Sequence, residues 1–306
     1  TIYAGDVVLA LGFFDGVHRG HQAVIQAARD EADRLQLPLA VMTFNMAPRI
    51  LYQQIHPEEV TYLTTLVEKE RLMTQLGVDY LYVTQLTSSF SALKPQEFVD
   101  QYMVGLHAKS VVAGFDYTYG KKDIANMRTL ASHAAGRFNI IEVNKLSEDT
   151  SKVGSTEIRH DLNTGQIDKA NQQLGYIYSI GGIVVHGEKR GRELGYPTAN
   201  LMVAAESLIP VEGVYVVEML LNGQVYPGVA SIGTNITFGE NRKRTVEIHL
   251  LDFRGEIYGE YVTVYWHKYL RPELKFDGIE GLIKQMDQDV VDAESYLESY
   301  LESLQK

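Results

Sequence analysis

Positions 7–21 constrain the fold most. The apolar run Val7–Leu11 passes straight into Gly-Phe-Phe-Asp-Gly-Val-His-Arg-Gly-His at 12–21. That order predicts a strand, a glycine-punctuated turn and a helix start. His18 and His21, three apart, fall on one face of the first helical turn. Free backbone N–H groups and the positive end of the helix dipole attract anions there. Imidazole donors can follow charge as it develops on a transferring phosphoryl group. The segment is read as a phosphate site, with Gly12, Phe14, Asp15 and Gly20 against the phosphates and His18 and His21 in the catalytic role. Taken alone, Asp15 would equally cap the helix.

The first half continues the alternation. Strand-like runs at Leu39–Phe44, Tyr80–Leu86, Ser110–Ala113 and Phe138–Val143 are interleaved with helix-like stretches at His21–Leu35, Val67–Leu76, Pro95–Tyr102 and Met127–Ala135. Such a chain winds a parallel sheet with helices, a doubly wound α/β fold. Ligands of these sheets sit outside the carboxyl ends of the strands. Both Gly12–His21 and Gly114–Gly120 fall at such ends. The second segment, Gly-Phe-Asp-Tyr-Thr-Tyr-Gly, reads equally as an aromatic turn or as a wall for a flat ring.

Near Gly175 the pattern changes. Short β-branched and aromatic runs at Ile183–His186, Val214–Leu221, Val225–Ile232, Thr245–Leu250 and Tyr261–Trp266 are separated by turns. Asn222-Gly223 between two of them is a strong hairpin signal. These strands predict a small antiparallel β-barrel. An acidic amphipathic helix from Asp277 onward closes it, and Ser155–Leu174 forms a helical connector. The expected domains are 1–175 and 176–306.

Three further segments can carry chemistry. Ser155-Thr156-Glu157-Ile158-Arg159 opens the connector; alone it is a helix cap with a surface arginine, whereas beside a triphosphate its hydroxyls and guanidinium would clamp phosphate. His186–Leu201 is rich in glycine and basic residues, either a surface loop with a turn or a cover for phosphates, and Thr198 and Asn200 within it offer hard oxygen ligands for Mg²⁺. Glu247 lies in a strand where a carboxylate is usually solvated. Opposite a hydroxyl nucleophile it would be a general base. Arg242-Lys243-Arg244 just before it reads as a solvated run.

The charge balance, 28 basic against 39 acidic residues, gives −11 and a pI near 5.3. That argues against a nucleic-acid partner, whose footprint would be basic. With no cysteine, disulfides and thiolate metal sites are excluded. Val7–Phe14 has no basic flank and is too short to be a signal peptide or a membrane span. The acceptor pattern Asn235-Ile-Thr237 has no secretory context, so a cytoplasmic setting without membrane contact is expected. No feature specifies an oligomeric state. Phosphate-binding P-loops, dinucleotide fingerprints, nucleophile elbows and zincin motifs are absent from the sequence.

The order His-x-Gly-His at 18–21 is the signature of nucleotidyltransferases, which move AMP or CMP onto a phosphate. Together with Gly187–Leu201, Gly228–Phe238 and Val246–Phe253, it makes the chain resemble the bacterial bifunctional riboflavin kinase/FAD synthetase (FMN adenylyltransferase) family from about Val7 to the final helix. Gly-Arg-x-Leu-Gly-aromatic-Pro-Thr-Ala-Asn-Leu is close to diagnostic of a flavokinase barrel. The resemblance implies that the barrel phosphorylates riboflavin with ATP to FMN and that the N-terminal domain adenylylates FMN to FAD. Thr198 and Asn200 would hold Mg²⁺ with ATP, Glu247 would act on the ribityl hydroxyl, and Gly187, Gly191 and Arg192 would lie in the loop over the phosphates. Arg271 and Asp116 would contact flavin. His18 and His21 would stabilise the transition state of the second reaction, with Ser155, Thr156 and Arg159 binding triphosphate. That step needs no base, because the FMN phosphate is already an anionic nucleophile.

The chain departs from the family in several places. The family usually shows Thr-Phe-Asp-Pro-His-Pro after the second strand, and here Thr43-Phe44-Asn45-Met46-Ala47-Pro48 stands instead. Ala125 lies near a usual glycine, Ser231 replaces an asparagine and Ile236 a proline. These departures leave two alternatives beside the bifunctional enzyme: a riboflavin kinase with a weak or inactive adenylyltransferase domain, and a non-catalytic flavin- or nucleotide-binding regulator. The intact Thr198, Asn200 and Glu247 speak against the second, since a pure binder needs no base beside a metal.

Overall fold

A computed structural model describes residues 2–53, 55–56, 59–144, 147–148, 151–187, 196–235 and 243–304. The chain forms two compact units, Thr1–Ser155 and Thr156–Lys306.

In the first unit, strands β1 (Val7–Leu11), β2 (Leu39–Phe44), β3 (Tyr80–Thr84), β4 (Ala108–Gly114) and β5 (Asn139–Val143) make one sheet in the order β3-β2-β1-β4-β5. Every pairing is parallel. All five residues of β1 are buried, because the central strand of a parallel sheet is covered on both faces. The helices are α1 (Arg19–Leu35), α2 (Arg49–Tyr52), α3 (Leu66–Gln75), α4 (Ser88–Ser91), α5 (Pro95–Phe98) and α6 (Met127–Ala134). The sequence reads one helix across Pro95–Tyr102; α5 instead widens into a π-helical segment at Val99–Val104. A two-residue ladder, β6 (Ser147–Glu148) with β7 (Ser151–Lys152), follows the sheet. The strand order reverses between β1 and β4, and a ligand crevice opens at such a switch point.

Helix α7 (Ser155–Asn163) leads into the second unit, followed by α8 (Ile167–Leu174). Both pack there: Val211 N donates to Leu162 O (3.1 Å), and Asn171 Nδ2 donates to Trp266 O (3.0 Å). The packing unit therefore begins at Thr156, although the barrel strands begin only after Gly175. Strands β8 (Ser179–Val185), β9 (Thr198–Val203), β10 (Gly213–Leu221), β11 (Gln224–Asn235), β12 (Lys243–Leu250) and β13 (Tyr261–Arg271) close a barrel in the order β10-β11-β12-β9-β8-β13. Asn222 and Gly223 both take positive φ, 50° and 82°, as the tight β10–β11 hairpin requires. The fully buried Trp266 packs edge-on against Tyr215 at 5.1 Å in this unit's core. Helix α9 (Ile279–Leu304) lays Ala293 and Leu297 on Val216. The sequence reading anticipates five of the six strands and misses β9.

Candidate active sites

The first site forms where β1 ends. A methyl group on Gly12 would lie 2.7 Å from the Phe14 ring, so only glycine lets the turn fold back on itself. Phe14 and Val17 are buried at positive φ (54° and 37°), a strained conformation for a bulky or β-branched residue. Asp15 is not the helix cap: its Oδ1 accepts from Leu63 N (2.9 Å) and Thr64 N (3.4 Å). Gly16 N donates to Thr64 Oγ1 (3.0 Å). His18 caps α1, its Nδ1 accepting from His21 N (3.4 Å).

The His18 and His21 rings stack with centroids 3.6 Å apart, and Phe14 meets His21 edge-on at 5.3 Å. Burial, then the charges of His18 and Lys69, hold the His21 imidazole well below its usual range. Its Nδ1 is buried without a hydrogen-bond partner among the described residues. A buried, neutral and unsatisfied imidazole at a helix N-terminus is suited to a ligand's phosphate. Ser155, at the start of α7, joins the turn directly, its Oγ donating to Asp15 O (2.9 Å). Thr156 and Arg159 follow on the same helix, in the second unit. Gly20, in the first turn of α1, packs against His18.

Two features of this site escape the sequence reading. The first is Lys69 on α3, only 3% exposed, whose Nζ donates to Phe13 O (2.7 Å). A lysine in an amphipathic helix ordinarily points to water, and no local signal marks this one. The second is a cavity of about 270 Å³ beside the turn, walled by Phe13, Phe44, Phe90, Phe98 and Tyr119, with Asp116 at its exposed rim. Phe98 and Tyr119 stack at 5.8 Å, and Tyr119 Oη is held by His133 Nδ1 (2.7 Å). The Gly114–Gly120 segment is thus part of an aromatic wall of the size and flatness a planar ring needs.

The second site lies on the barrel. Asn200 on β9 is in register with Glu247 on β12, and Thr198 with His249. Side chains two apart share a face, so Thr198, Asn200 and Glu247 project together while Leu201, Val246 and Ile248 are buried. Thr198 Oγ1 lies 3.4 Å from Glu247 Oε2. Gly187 abuts Asn200 so closely that a Cβ there would overlap its amide at 2.0 Å. Gly191 and Arg192 lie outside the described residues. A cavity of about 370 Å³ adjoins Thr198, walled by Val184, Pro197, Leu250, Phe253 and Tyr258. Among the described residues, no group of three or more His, Cys, Asp or Glu is arranged to hold a metal. The hydroxyl, amide and carboxylate of Thr198, Asn200 and Glu247 are hard oxygen donors, the chemistry of a Mg²⁺ that arrives with nucleotide phosphates.

Arg271 is anchored to α9. Its Nε and one terminal nitrogen grip Asp289 of α9 at 2.8 and 2.6 Å, and its other terminal nitrogen donates to Pro272 O. Tyr196 Oη likewise donates to Asp287 of α9, which pushes the phenol up to about 12.

Residues 2–157 match the family model described as FAD synthetase, and residues 174–297 that described as riboflavin kinase. A bifunctional riboflavin kinase/FMN adenylyltransferase of Listeria monocytogenes is 48% identical over 289 residues, which cover 94% of this chain and 92% of that one. Proteins of the same description from Bacillus subtilis and Escherichia coli K12 are 42% and 35% identical, each over 94% of this chain and 92% of theirs. A crystal structure from Streptococcus pneumoniae, described as a macrolide-efflux protein, superposes with a TM-score of 0.89 at 37% identity over 95% of both chains. Among the described residues here, no helix is long and apolar enough to cross a membrane.

Proposed function

This chain belongs to the bifunctional riboflavin kinase/FMN adenylyltransferase family, and we propose that it performs both reactions, one in each half. The barrel transfers the γ-phosphoryl group of ATP to the terminal ribityl hydroxyl of riboflavin, giving FMN and ADP. The α/β domain joins the FMN phosphate to the α-phosphorus of a second ATP, giving FAD and pyrophosphate. Its partners are small molecules, flavins and ATP, and a cytoplasmic setting supplies both. The chemistry divides at about residue 175, with α7 serving the adenylyl transfer through Ser155, Thr156 and Arg159.

The observation that carries this reading is that each unit completes a polar site of its own. In the barrel, β9–β12 register brings Thr198 and Asn200 beside Glu247. Glu247 accepts the proton of the attacking hydroxyl as the new O–P bond forms and the bond to the ADP oxygen breaks. Thr198 and Asn200 would hold Mg²⁺ together with the ATP phosphates, and the chemistry it would supply there is neutralisation of phosphate charge. Gly187 keeps the backbone close beside Asn200, and the family resemblance assigns Gly191 and Arg192 to binding the phosphates.

In the α/β domain no proton needs removing. An FMN phosphate oxygen attacks, and the bond between the α-phosphorus and the pyrophosphate oxygen breaks. His18 and His21 stabilise the charge gathering between them, and the Gly12–Gly20 turn, with Phe14 and Asp15 setting its shape, presents N–H donors to the phosphates. The aromatic cavity takes the isoalloxazine ring, with Asp116 at its rim.

Chromatographic product analysis tests the reading. Protein with riboflavin, ATP and Mg²⁺ is expected to make FMN; protein with FMN, ATP and Mg²⁺ is expected to make FAD. Glu247→Ala should abolish the first reaction and spare the second. Loss of both in a folded variant would refute independent sites.

A further inference from the structure

Lys69 is a buried cation whose hydrogen bond to the Phe13 carbonyl duplicates another. It is 3% exposed, and its Nζ donates to Phe13 O (2.7 Å) and Thr43 Oγ1 (3.3 Å) while lying 4.3 Å from the centre of the Phe13 ring. Phe13 O is already satisfied, because the fully buried Thr43 donates its hydroxyl to the same oxygen at 2.8 Å. Removing the lysine would therefore leave no backbone group orphaned. Keeping it is unfavourable, because an ammonium withdrawn from water loses its hydration. Burial lowers the lysine to about 8, with Asp15 acting the other way. A buried cation whose hydrogen bonding is redundant and whose burial is unfavourable signals a use for its charge.

The surroundings say what that use is. Phe13 opens the turn that Asp15 and Gly16 pin to residues 63–64, and Lys69 lies one helical turn further along the same segment. The titratable groups facing it are Asp15, whose carboxylate attracts it, and His21, which burial lowers first and the charges of His18 and then Lys69 lower further. We infer that Lys69 is a positioning residue of the adenylyl-transfer site: from behind the Gly12–Val17 turn it braces the Phe13 carbonyl and places the charge of its ammonium next to His21, where the transferring phosphate accumulates negative charge. The inference rests on the adenylyltransferase reading of this domain.

The test compares wild type, Lys69→Met and Lys69→Arg in the full chain. FMN adenylylation is followed as kcat and KM from pH 6 to 10, riboflavin phosphorylation serves as the internal control, and thermal unfolding is recorded. Failure of the wild type to convert FMN to FAD would defeat the underlying reading, whatever the variants do. Given wild-type activity, Lys69→Met is expected to lower kcat about tenfold or more with KM for ATP little changed. Its unfolding temperature should change little, because the relieved burial of the ammonium offsets the lost attraction to Asp15. The wild-type profile should fall on its alkaline side near the lysine's value of about 8. Lys69→Arg, always charged, should push that fall to higher pH. Unfolding temperature and kcat falling together in Lys69→Met would reduce the lysine to a structural part. An alkaline limb that is missing from the wild type, or unmoved in Lys69→Arg, would overturn the proposal outright.

Discussion

His18 and His21 stack face to face, their planes 17° apart, and the backbone N–H of one donates to the ring of the other. His18 Nδ1 is thereby an acceptor, so its proton rests on Nε2 when the ring is neutral. Burial, His18 and Lys69, in that order, lower His21, so it is neutral at pH 7. The unfolded chain holds an ordinary histidine near 6.5 and binds the proton first. Stability of the first unit therefore falls as pH drops below about 6.5 toward the folded value, and is unaffected by this group above it. His21→Ala is expected to lower FAD formation about 10²–10³-fold and leave FMN formation unchanged. His18→Gln removes one repulsive charge and should move the acid limb of FMN adenylylation upward. A pH–rate profile of kcat/KM decides it, and a limb that does not move sinks the electrostatic account.

Gly187 is fixed by its neighbour rather than by its own dihedrals. A Cβ there would sit 2.0 Å from Asn200 Nδ2 and 2.4 Å from Cγ, so Gly187→Ala must displace the amide. A shift of about 1 Å in a phosphoryl-transfer site can lose about 10²-fold in rate. Riboflavin phosphorylation should fall by that order, with KM for ATP raised, while FMN adenylylation keeps its wild-type rate. Parallel assays of the two products on one preparation make the comparison.

How far the sequence reaches depends on whether a signal is local. The parallel sheet is legible because Val7–Leu11 and Leu39–Phe44 are apolar runs between helical stretches. Asn222-Gly223 announces its hairpin by chemistry alone. Strand β9 is not legible: Thr198-Ala199-Asn200-Leu201-Met202-Val203 follows Gly195-Tyr196-Pro197 and mixes polar with apolar residues, which reads as a turn. Yet pairing of β9 with β12 is what sets Asn200 opposite Glu247, 47 residues away in sequence. Lys69 and the aromatic wall of Phe44, Phe90 and Phe98 are products of packing between distant segments, and periodicity carries no trace of them.

Arg271 and Asp289 form a two-point ion pair with side chains only 17% and 5% exposed. Gln285 Nε2 adds a third bond to the same carboxylate (3.0 Å). Breaking a buried pair on one side leaves an uncompensated charge, at about 3–5 kcal/mol. Arg271→Met and Asp289→Leu should each destabilise the second unit by an amount of that order. Arg271→Met combined with Asp289→Leu should recover much of the loss, since an apolar pair of similar volume is often neutral. Denaturant unfolding of the four proteins measures the coupling. An Arg271→Met that unfolds like wild type but has a raised KM for riboflavin would instead make Arg271 a flavin contact.

Asn45 stands where the family usually has aspartate, and the structure shows what the side chain does. Its Oδ1 accepts from Leu86 N (2.8 Å), and its own N–H donates to Thr84 O (3.1 Å), tying the end of β2 to the segment that carries the aromatic wall. An amide oxygen and a carboxylate oxygen can each accept that bond from the same position, so the replacement keeps the geometry. Asn45→Asp should therefore change FAD formation by less than about threefold, the scale of well under one kcal/mol. Asn45→Leu cannot accept from Leu86 N, and an orphaned N–H costs about 1–3 kcal/mol. The leucine variant should lose FAD formation and first-unit stability together. Ala47 differs in kind. It is 6% exposed, with its N–H on Tyr62 Oη (3.2 Å), so an imidazole has no room there. Ala47→His should destabilise by about 1–3 kcal/mol through overpacking, and combining it with Asn45→Asp should not raise activity. Steady-state FAD formation and thermal unfolding of the single and double variants test this. A double variant faster than wild type would mean that the family's aspartate and histidine supply chemistry this chain has lost.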